Sequence, residues 1–505
     1  MKYTQIFSLI FCVFTISIGT SQNYHCGTDQ SDTFMKNLRV NKKLFENTRN
    51  KSRVDRFIPI TFHSVASTQG EGRINDLSIY EALCTMNERY EETEMRFYLQ
   101  NINYIDNTNI YDSPGGAQGR IAINNAKSSN SLNVFIVDFA GTGVAGYYTG
   151  GLDVVVILKN ALGDDRYTLE HELGHFFTLA HTHRGWDQIA SGPNVTQGGY
   201  DPAIHGDTIT MTTISSSQSG STLIELSDGS NCTIAADEIC DTPPDYGFGF
   251  SCSCCTMIFP NVRDFNGDEI FPMMDNVMSY SNNCNPFKFT EEQTTAMLTD
   301  FDSNRRNYLR GGSVSTYEPV TETATLLTPT FGSKVENYNG VFFDWEDVPN
   351  ADSYLVQIDG DVELEYITTS SELFIEDLEP DAVYFWQVAS LGKFGTSCQL
   401  EDVILFETGS GTTSTNEVEG ISNVGIHPNP VSNGLDINVF ITADEVMSSV
   451  VSLIDINGRV VLTQNEGIQR GENHIKLKTS TITCGLYVVE VQTANGRMTD
   501  KIFIK

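Results

Sequence analysis

The chain has 505 residues, with 31 Lys and Arg against 65 Asp and Glu, and a formal net charge of −34. That balance excludes nucleic acid as a partner, because phosphates need a basic surface, and it argues against binding to anionic membranes. With 40% hydrophobic residues the chain is long enough for roughly two to four domains with real cores, and its acidity favours solubility outside the cell.

Lys2 precedes an apolar run over residues 6–18, followed by the small residues Gly19, Thr20 and Ser21. Residues 1–21 therefore read as a signal peptide cleaved before Gln22. The run falls short of a bilayer span, and no later stretch is longer and more apolar, so no stable membrane insertion is expected. Cys12 lies inside the run next to the large Ile10 and Phe11, which argues against a lipid on it. Residues 22–53 are polar and end in a basic stretch, with Lys42, Lys43, Arg49, Lys51 and Arg53. In an acidic chain this is the pattern of an exposed, cleavable propeptide. Near its start stand His25, Cys26, Gly27 and Thr28. Cys26 has two readings: a thiolate that fills an open metal position until the segment is removed, or a disulfide with Cys84.

From residue 54 the pattern alternates between strand and helix. Residues 57–65 are strand-like, and His63 within them is expected to be a packed strand residue rather than a ligand. Leu77, Tyr80, Leu83, Cys84 and Met86 have helical spacing. Residues 95–104 and 132–137 are strand candidates. Residues 141–151 are glycine-rich and turn back into an apolar run at 153–158. No Gly-Lys-Ser/Thr follows, so this is not a phosphate loop. It reads as an edge strand beside a cleft, able to hydrogen-bond an extended peptide.

The next stretch carries the chemistry. His171 and His175 are four apart, so a helix puts both imidazoles on one face, where they can share a metal. Glu172 follows the first of them. His181 lies six residues further on, far enough for the chain to leave the helix and bring back a third imidazole. Three imidazoles with one open position suit a catalytic zinc. His183 is a poorer third ligand by spacing. The protein has only nine histidines, and three fall in this one pattern.

Residues 185–230 are polar and rich in Gly, Ser and Thr. Asp237, Glu238, Asp241 and Asp245 then form an acidic cluster, read either as a calcium site through Asp237 and Asp241 or as a capped acidic turn. Residues 264–269 are a weaker candidate of the same kind. Six of the 11 cysteines cluster at Cys232, Cys240, Cys252, Cys254, Cys255 and Cys284. In an exported chain they read as disulfides, since two Cys-x-x-Cys units for a zinc ribbon are absent. Cys284 is expected to pair with Cys252, Cys254 or Cys255. Thr290 with Gln293 forms a capping-box signal for a helix running to about Asn307.

The second half is all-β in pattern. A linker at 311–316 leads to short alternating strands over 325–408, with Trp345, Tyr354, Tyr384 and Trp386 as core residues. A flexible linker over 409–419 precedes a last strand-rich domain over 420–505.

These motifs carry resemblances. His171, Glu172, His175 and His181, followed by Met278 and Tyr280, resemble the metzincin metallopeptidases. Cys26-Gly27-Thr28, the strand with Ile58, Pro59, Phe62 and His63, and Cys240-Asp241-Thr242-Pro243 narrow the resemblance to the pappalysin family over residues 26 to about 310. So do Val277-Met278-Ser279-Tyr280 with Cys284, Phe289 and Thr290. The resemblance implies zinc on His171, His175 and His181, and Glu172 as the base that activates water. It implies Met278 in a turn beneath the metal, Tyr280 as oxyanion donor, Cys26 as latency cysteine, and calcium near Asp241. Two departures stand out. The family has glycine where this chain has Thr178, at a turn that favours positive φ. Asn282 and Asn283 replace the aspartates that some relatives use to hold a basic side chain, so a strict Arg or Lys preference is not expected there. Residues 325–408 resemble a fibronectin type III domain, whose bland role is a spacer. The ordered motifs of residues 420–505 resemble the C-terminal sorting domain of proteins exported by the type IX secretion system of Gram-negative bacteria.

The expected architecture is an α+β metzincin-like domain over 54–312, a twisted sheet plus an active-site helix, followed by two all-β sandwiches. The expected function is a secreted zinc endopeptidase made as a latent precursor and acting on proteins or peptides. The competing reading is a surface adhesin on a decayed peptidase scaffold.

Overall fold

In a computed structural model, the described residues are 25–45, 54–163, 167–187, 199–251, 255–257, 261–281, 284–376, 378–399, 401–410, 420–427, 429–431, 435–455, 459–480, 482–494 and 496–505. The signal segment expected at 1–21, the basic residues 49–53, Cys252, Cys254, Asn282, Asn283 and most of the 409–419 linker lie outside them. The chain divides into two compact units.

The first unit comprises Met1–Glu322 with Pro349–Asp352 and Ser390–Gln399. Its framework is a six-stranded sheet of β1 (His25–Cys26), β2 (Arg56–Ala66), β3 (Met95–Asp106), β4 (Leu132–Val137), β5 (Val144–Thr149) and β6 (Val154–Leu158), in the order β1-β5-β6-β4-β2-β3. β2, β3, β4 and β6 pair in parallel, and helices between them make the crossovers that parallel pairing requires. Both faces of such strands are covered. That is why β4 and β6 are apolar runs in which every residue is buried. His63 belongs to this interior. It is fully buried, stacks on Phe135 with ring centroids 3.9 Å apart, and bonds Asn133 Oδ1 through Nε2 at 2.9 Å. β5 runs antiparallel to β6 at the sheet edge, and its outer side pairs with β1 of the N-terminal segment.

After β6 the chain enters the helix Thr168–Phe176, here called the site helix. Leu169, Leu173, Phe176 and Phe177 join the sheet core, each fully buried side chain contributing about 1.5–3 kcal/mol. The expected capping box at Thr290 is present, but the helix it starts, Glu291–Asp302, ends earlier than periodicity indicates. Ser303 is extended, and a 3-10 turn, Asn304–Leu309, brings Arg306 back to Asp300.

Among the described residues, disulfides join Cys84 to Cys398, Cys232 to Cys240, and Cys255 to Cys284. Cys284 thus takes one of its three expected partners. The alternative partner for Cys26 is corrected: Cys84 is held by Cys398, and Cys26 is a buried free thiol.

The second unit is built from β-sheets. Its first part has a three-stranded and a five-stranded sheet that share an aromatic core. Phe343 packs edge-on to Trp386 at 5.0 Å, and Trp345 to Tyr354 at 5.4 Å. Tyr384 Oη accepts from Glu379 N at 2.9 Å, the corner contact that the sequence pattern expects. The last part pairs a three-stranded sheet with a four-stranded one over a single core that includes Val439, Leu453, Val489 and Ile504. Among the described residues no helix is long and apolar enough to cross a membrane.

Candidate metal centre

The site helix presents His171 and His175 from successive turns, and the following turn returns His181. Their Nε2 atoms lie 3.1 Å (171–175), 3.2 Å (175–181) and 3.1 Å (171–181) apart. Each Nδ1 faces an acceptor: Val277 O at 2.8 Å for His171, Leu179 O at 2.7 Å for His175, and Asp187 Oδ1 at 2.5 Å for His181. An imidazole donating from Nδ1 carries a bare lone pair on Nε2. Burial, then the neighbouring imidazoles, pushes His171 and His175 well below the usual histidine range. Burial also takes His181 down to about 4, against the pull of Asp187. Three neutral lone pairs pointed at one spot repel each other unless a cation sits among them. The donor set therefore fits a metal, and imidazole nitrogen with a carboxylate behind it suits zinc.

Asp187 is the backing group. Its side chain is buried, and burial opposes its charge, but His181 and His183 hold the carboxyl below the usual range. His183 stacks on His181 at 4.6 Å and faces Asp187 rather than the other Nε2 atoms. Met278 lies under the helix, fully buried. A Cβ on Gly174 would come within 2.4 Å of its sulfur, so glycine is needed mid-helix for that approach. Tyr280 stands beside the imidazoles, its ring 4.7 Å from that of His181 and 5.8 Å from that of His171.

The N-terminal segment covers this arrangement. Cys26 Sγ belongs to the same ligand group as the three imidazoles, all ligand atoms lying within 4.8 Å of one another. Sγ also faces Glu172 Oε2 at 3.5 Å, and Thr28 Oγ1 donates to the same oxygen at 3.0 Å. Cys26 N donates to Tyr280 Oη at 2.9 Å. Gln30 Oε1 accepts from His181 N at 2.7 Å, and its amide contacts His181 Nδ1. Burial, then the charge of Glu172, pushes the Cys26 thiol well above its ordinary range, and burial raises Glu172 to about 7. Behind Glu172, a Cβ on Gly146 of β5 would meet its Cγ at 3.1 Å. The helix Asp32–Lys42 continues the cover, with Phe34 edge-on to His175 at 5.9 Å. Beside it a cavity of about 500 Å³ is lined by Tyr148, Thr178 and Arg305 among others.

Thr178 adopts φ +79°, the left-handed backbone that a β-branched residue resists. The turn keeps the shape glycine would give it, and Thr178 Oγ1 is buried with no hydrogen-bond partner among the described residues.

In the acidic cluster Asp237 is buried and accepts from Ile239 N at 3.0 Å and from Thr242 Oγ1. Asp241 caps the helix Glu291–Asp302, accepting from Thr290 Oγ1 at 2.6 Å and Glu292 N at 2.8 Å. Gln30, Gly174 and Asp187 were not readable as site residues, and Thr28 only through the Cys26-Gly27-Thr28 resemblance. Of the first three only Gly174 leaves a signal, a glycine inside a helical pattern.

A family model for the secretion system C-terminal sorting domain matches residues 425–505. The C-terminal domain is a type IX sorting domain. The chain is thus one that is exported, to be secreted or held at the cell surface. No curated protein sequence matches the chain. Among solved structures, it is similar to a promirolysin variant of Tannerella forsythia at 17% identity, over 56% of this chain and 96% of that one, with TM-score 0.36. It is also similar to mature mirolysin of Tannerella forsythia in complex with a cleaved peptide, at 20% identity, over 52% and 97%, with TM-score 0.33. A fibronectin type III domain of human collagen alpha-1(XX) matches at 21% identity, over 21% and 99%, with TM-score 0.15.

Proposed function

We propose that this is an exported zinc endopeptidase of the metzincin type, close to the pappalysins, made as a latent precursor. The observation that carries the reading is the convergence of three Nε2 lone pairs beside Glu172 and Tyr280, with Cys26 across them. Zinc on His171, His175 and His181 supplies Lewis acidity toward a carbonyl and a water. The side of β5 that β1 covers in the latent chain hydrogen-bonds the peptide backbone as an added strand once the N-terminal segment is gone. Glu172 takes a proton from the attacking water and returns it to the leaving amine. Tyr280 Oη, once released by Cys26, donates to the developing oxyanion.

Latency follows from the same contacts. Cys26 fills the open position, and Thr28 occupies the Glu172 oxygen that must accept a proton. Removal of the N-terminal segment frees both. The domain over 325–408 is a spacer of fibronectin type III kind. Calcium belongs to the proposal at Asp237 alone. Burial pushes the Asp237 and Glu225 carboxyls up, Glu225 with help from the charges of Asp237 and Asp245, and a divalent cation would relieve both.

The test is casein cleavage by the processed, secreted chain. Cleavage that needs zinc and falls about 10²–10⁴-fold in Glu172→Ala is expected. A wild-type chain that binds no metal and cuts nothing supports the decayed-adhesin reading instead. Mass spectrometry of the secreted form fixes both processing sites.

A further inference from the structure

The helix Asp32–Lys42 ends on a single carboxylate. Arg39 Nε and Nη2 both donate to Glu238 Oε1, at 2.9 and 2.7 Å, and Lys42 Nζ reaches Oε2 at 3.4 Å. The Glu238 side chain is only 3% exposed, covered by these two cations. Nothing in this arrangement belongs to the zinc chemistry, and both cations sit on the segment that the peptidase reading removes. Their departure uncovers the Glu238 carboxylate, with the buried Arg184 left as a neighbouring cation.

The carboxylate is held in place by its own loop. Cys232 and Cys240 close that loop with a disulfide, and Ala236 and Glu238 within it both take left-handed backbone, at φ +45° and +63°. Arg184, itself buried and close after His181 in the chain, donates to Ala236 O at 3.1 Å, which ties the loop to the His181 side of the site. Phe34 of the same helix as Arg39 lies against His175 and Arg39 against Glu238, so one element of the cover reaches both places.

We infer that Glu238 is a specificity-determining subsite for a basic side chain, Arg or Lys, of the peptide substrate, at a position other than the one that lies against His175. Arg39 and Lys42 occupy it in the latent chain. The inference rests on the peptidase reading. It concerns a place distinct from the segment after Tyr280, where the amides Asn282 and Asn283 give no charge to hold a cation.

The test uses the secreted chain freed of its N-terminal segment by limited trypsin cleavage. Its probes are peptide pairs that differ only in Lys against norleucine at one position, scanned along the peptide on both sides of the scissile bond. Losing a hydrogen-bonded ion pair of this kind is worth about 30-fold. Wild type should therefore favour Lys at one outlying position by about 30-fold in kcat/KM. Glu238→Gln should abolish that preference while cleaving the norleucine peptides at the wild-type rate. Glu238→Lys should favour Glu at the same position. No positional preference in wild type, or a preference that survives Glu238→Gln, overturns the inference. Equal losses on Lys and norleucine peptides also overturn it, by showing a structural role. Calorimetric titration of the same pairs into the trypsin-treated Glu172→Ala chain separates the two readings. A Glu238-dependent Lys advantage in binding, with no cleavage by wild type, keeps the subsite and sinks the peptidase.

Discussion

Two buried polar clusters flank the site helix, and they are built in opposite ways. At its C-terminal end, Arg306 is fully buried, with Asp153 at 2.7 Å and Asp300 at 2.9 Å, its guanidinium 3.5 Å from the centre of the Phe176 ring. Arg306 also donates to Phe176 O, satisfying a carbonyl that the ending helix leaves free. Burial works against its charge, but the two carboxylates raise its pKa above the usual arginine range. On the helix face, His171, His175 and His181 bring together acceptors alone. In the first cluster the chain supplies its own cation and the charges close. In the second the donors close only around a cation from outside. Buried charge that is paired internally is a structural device, and buried lone pairs that converge without a partner mark a site.

The largest effect should come from breaking the open cluster. His175→Ala should abolish the stoichiometric zinc expected of purified wild type and lose more than the roughly 100-fold in metal affinity that a backing group is worth. Asp187→Asn, which keeps the shape and removes the charge behind His181, should cost about 10–100-fold in zinc affinity. Competition with a chromogenic chelator reads both. Equal zinc affinity in wild type and Asp187→Asn would show that Asp187 is packing rather than backing.

Breaking the closed cluster should cost stability rather than metal. Arg306→Met strips the partly exposed Asp153 of its cation and leaves the buried Asp300 with Arg305 alone, at about 3 kcal/mol by denaturant unfolding. Adding Asp153→Asn and Asp300→Asn to that variant should recover part of the loss. A triple variant no better than the single one would mean that the stacking on Phe176 dominates.

Next in size is a pH effect inside the sheet. Burial pushes His63 down to about 4, so it is neutral when folded and titrates near its ordinary value when unfolded. The unfolded state then binds more protons, and stability falls as pH drops from about 6.5 to 4, by about 3 kcal/mol in all. Unfolding curves of wild type and His63→Gln should diverge over that window and run parallel above pH 7. Parallel curves throughout would mean that the Asn133 contact offsets the burial.

The strands and the site helix were legible because their periods are simple. Continuous apolar runs gave β4 and β6, and four-residue spacing gave His171 and His175. Met278 and Tyr280 were legible only through resemblance, since more than a hundred residues separate them from His171 and no local pattern links them. Thr28 was legible only within the Cys26-Gly27-Thr28 resemblance, and Gln30 and Asp187 were not legible at all. Each acts through hydrogen bonds to residues distant in sequence or beyond a turn, and side chains of these types have no period. The partner of Asp241 was hidden for a related reason. A carboxylate in an acidic run looks like a cation ligand, whereas the helix that Asp241 caps lies 49 residues away. The early end of the helix Glu291–Asp302 was hidden because Arg306 must fold back to a partner that only tertiary structure supplies.

Thr178 gives the smallest effect and the finest contrast between the two clusters, because it lies in the turn between His175 and His181. A non-glycine residue in left-handed backbone costs about 1–3 kcal/mol, and its buried, unbonded hydroxyl adds to that. Glycine removes both terms, but its greater freedom in the unfolded chain returns about 0.5–1 kcal/mol. Thr178→Gly should therefore stabilise the chain by about 1 kcal/mol, seen as a higher denaturant midpoint with unchanged slope. Zinc affinity should not change, because the turn already holds the shape that glycine prefers and His175 Nδ1 already meets Leu179 O at 2.7 Å. A tighter zinc site in Thr178→Gly would mean that the strain at Thr178 is transmitted to the imidazoles rather than absorbed by the turn.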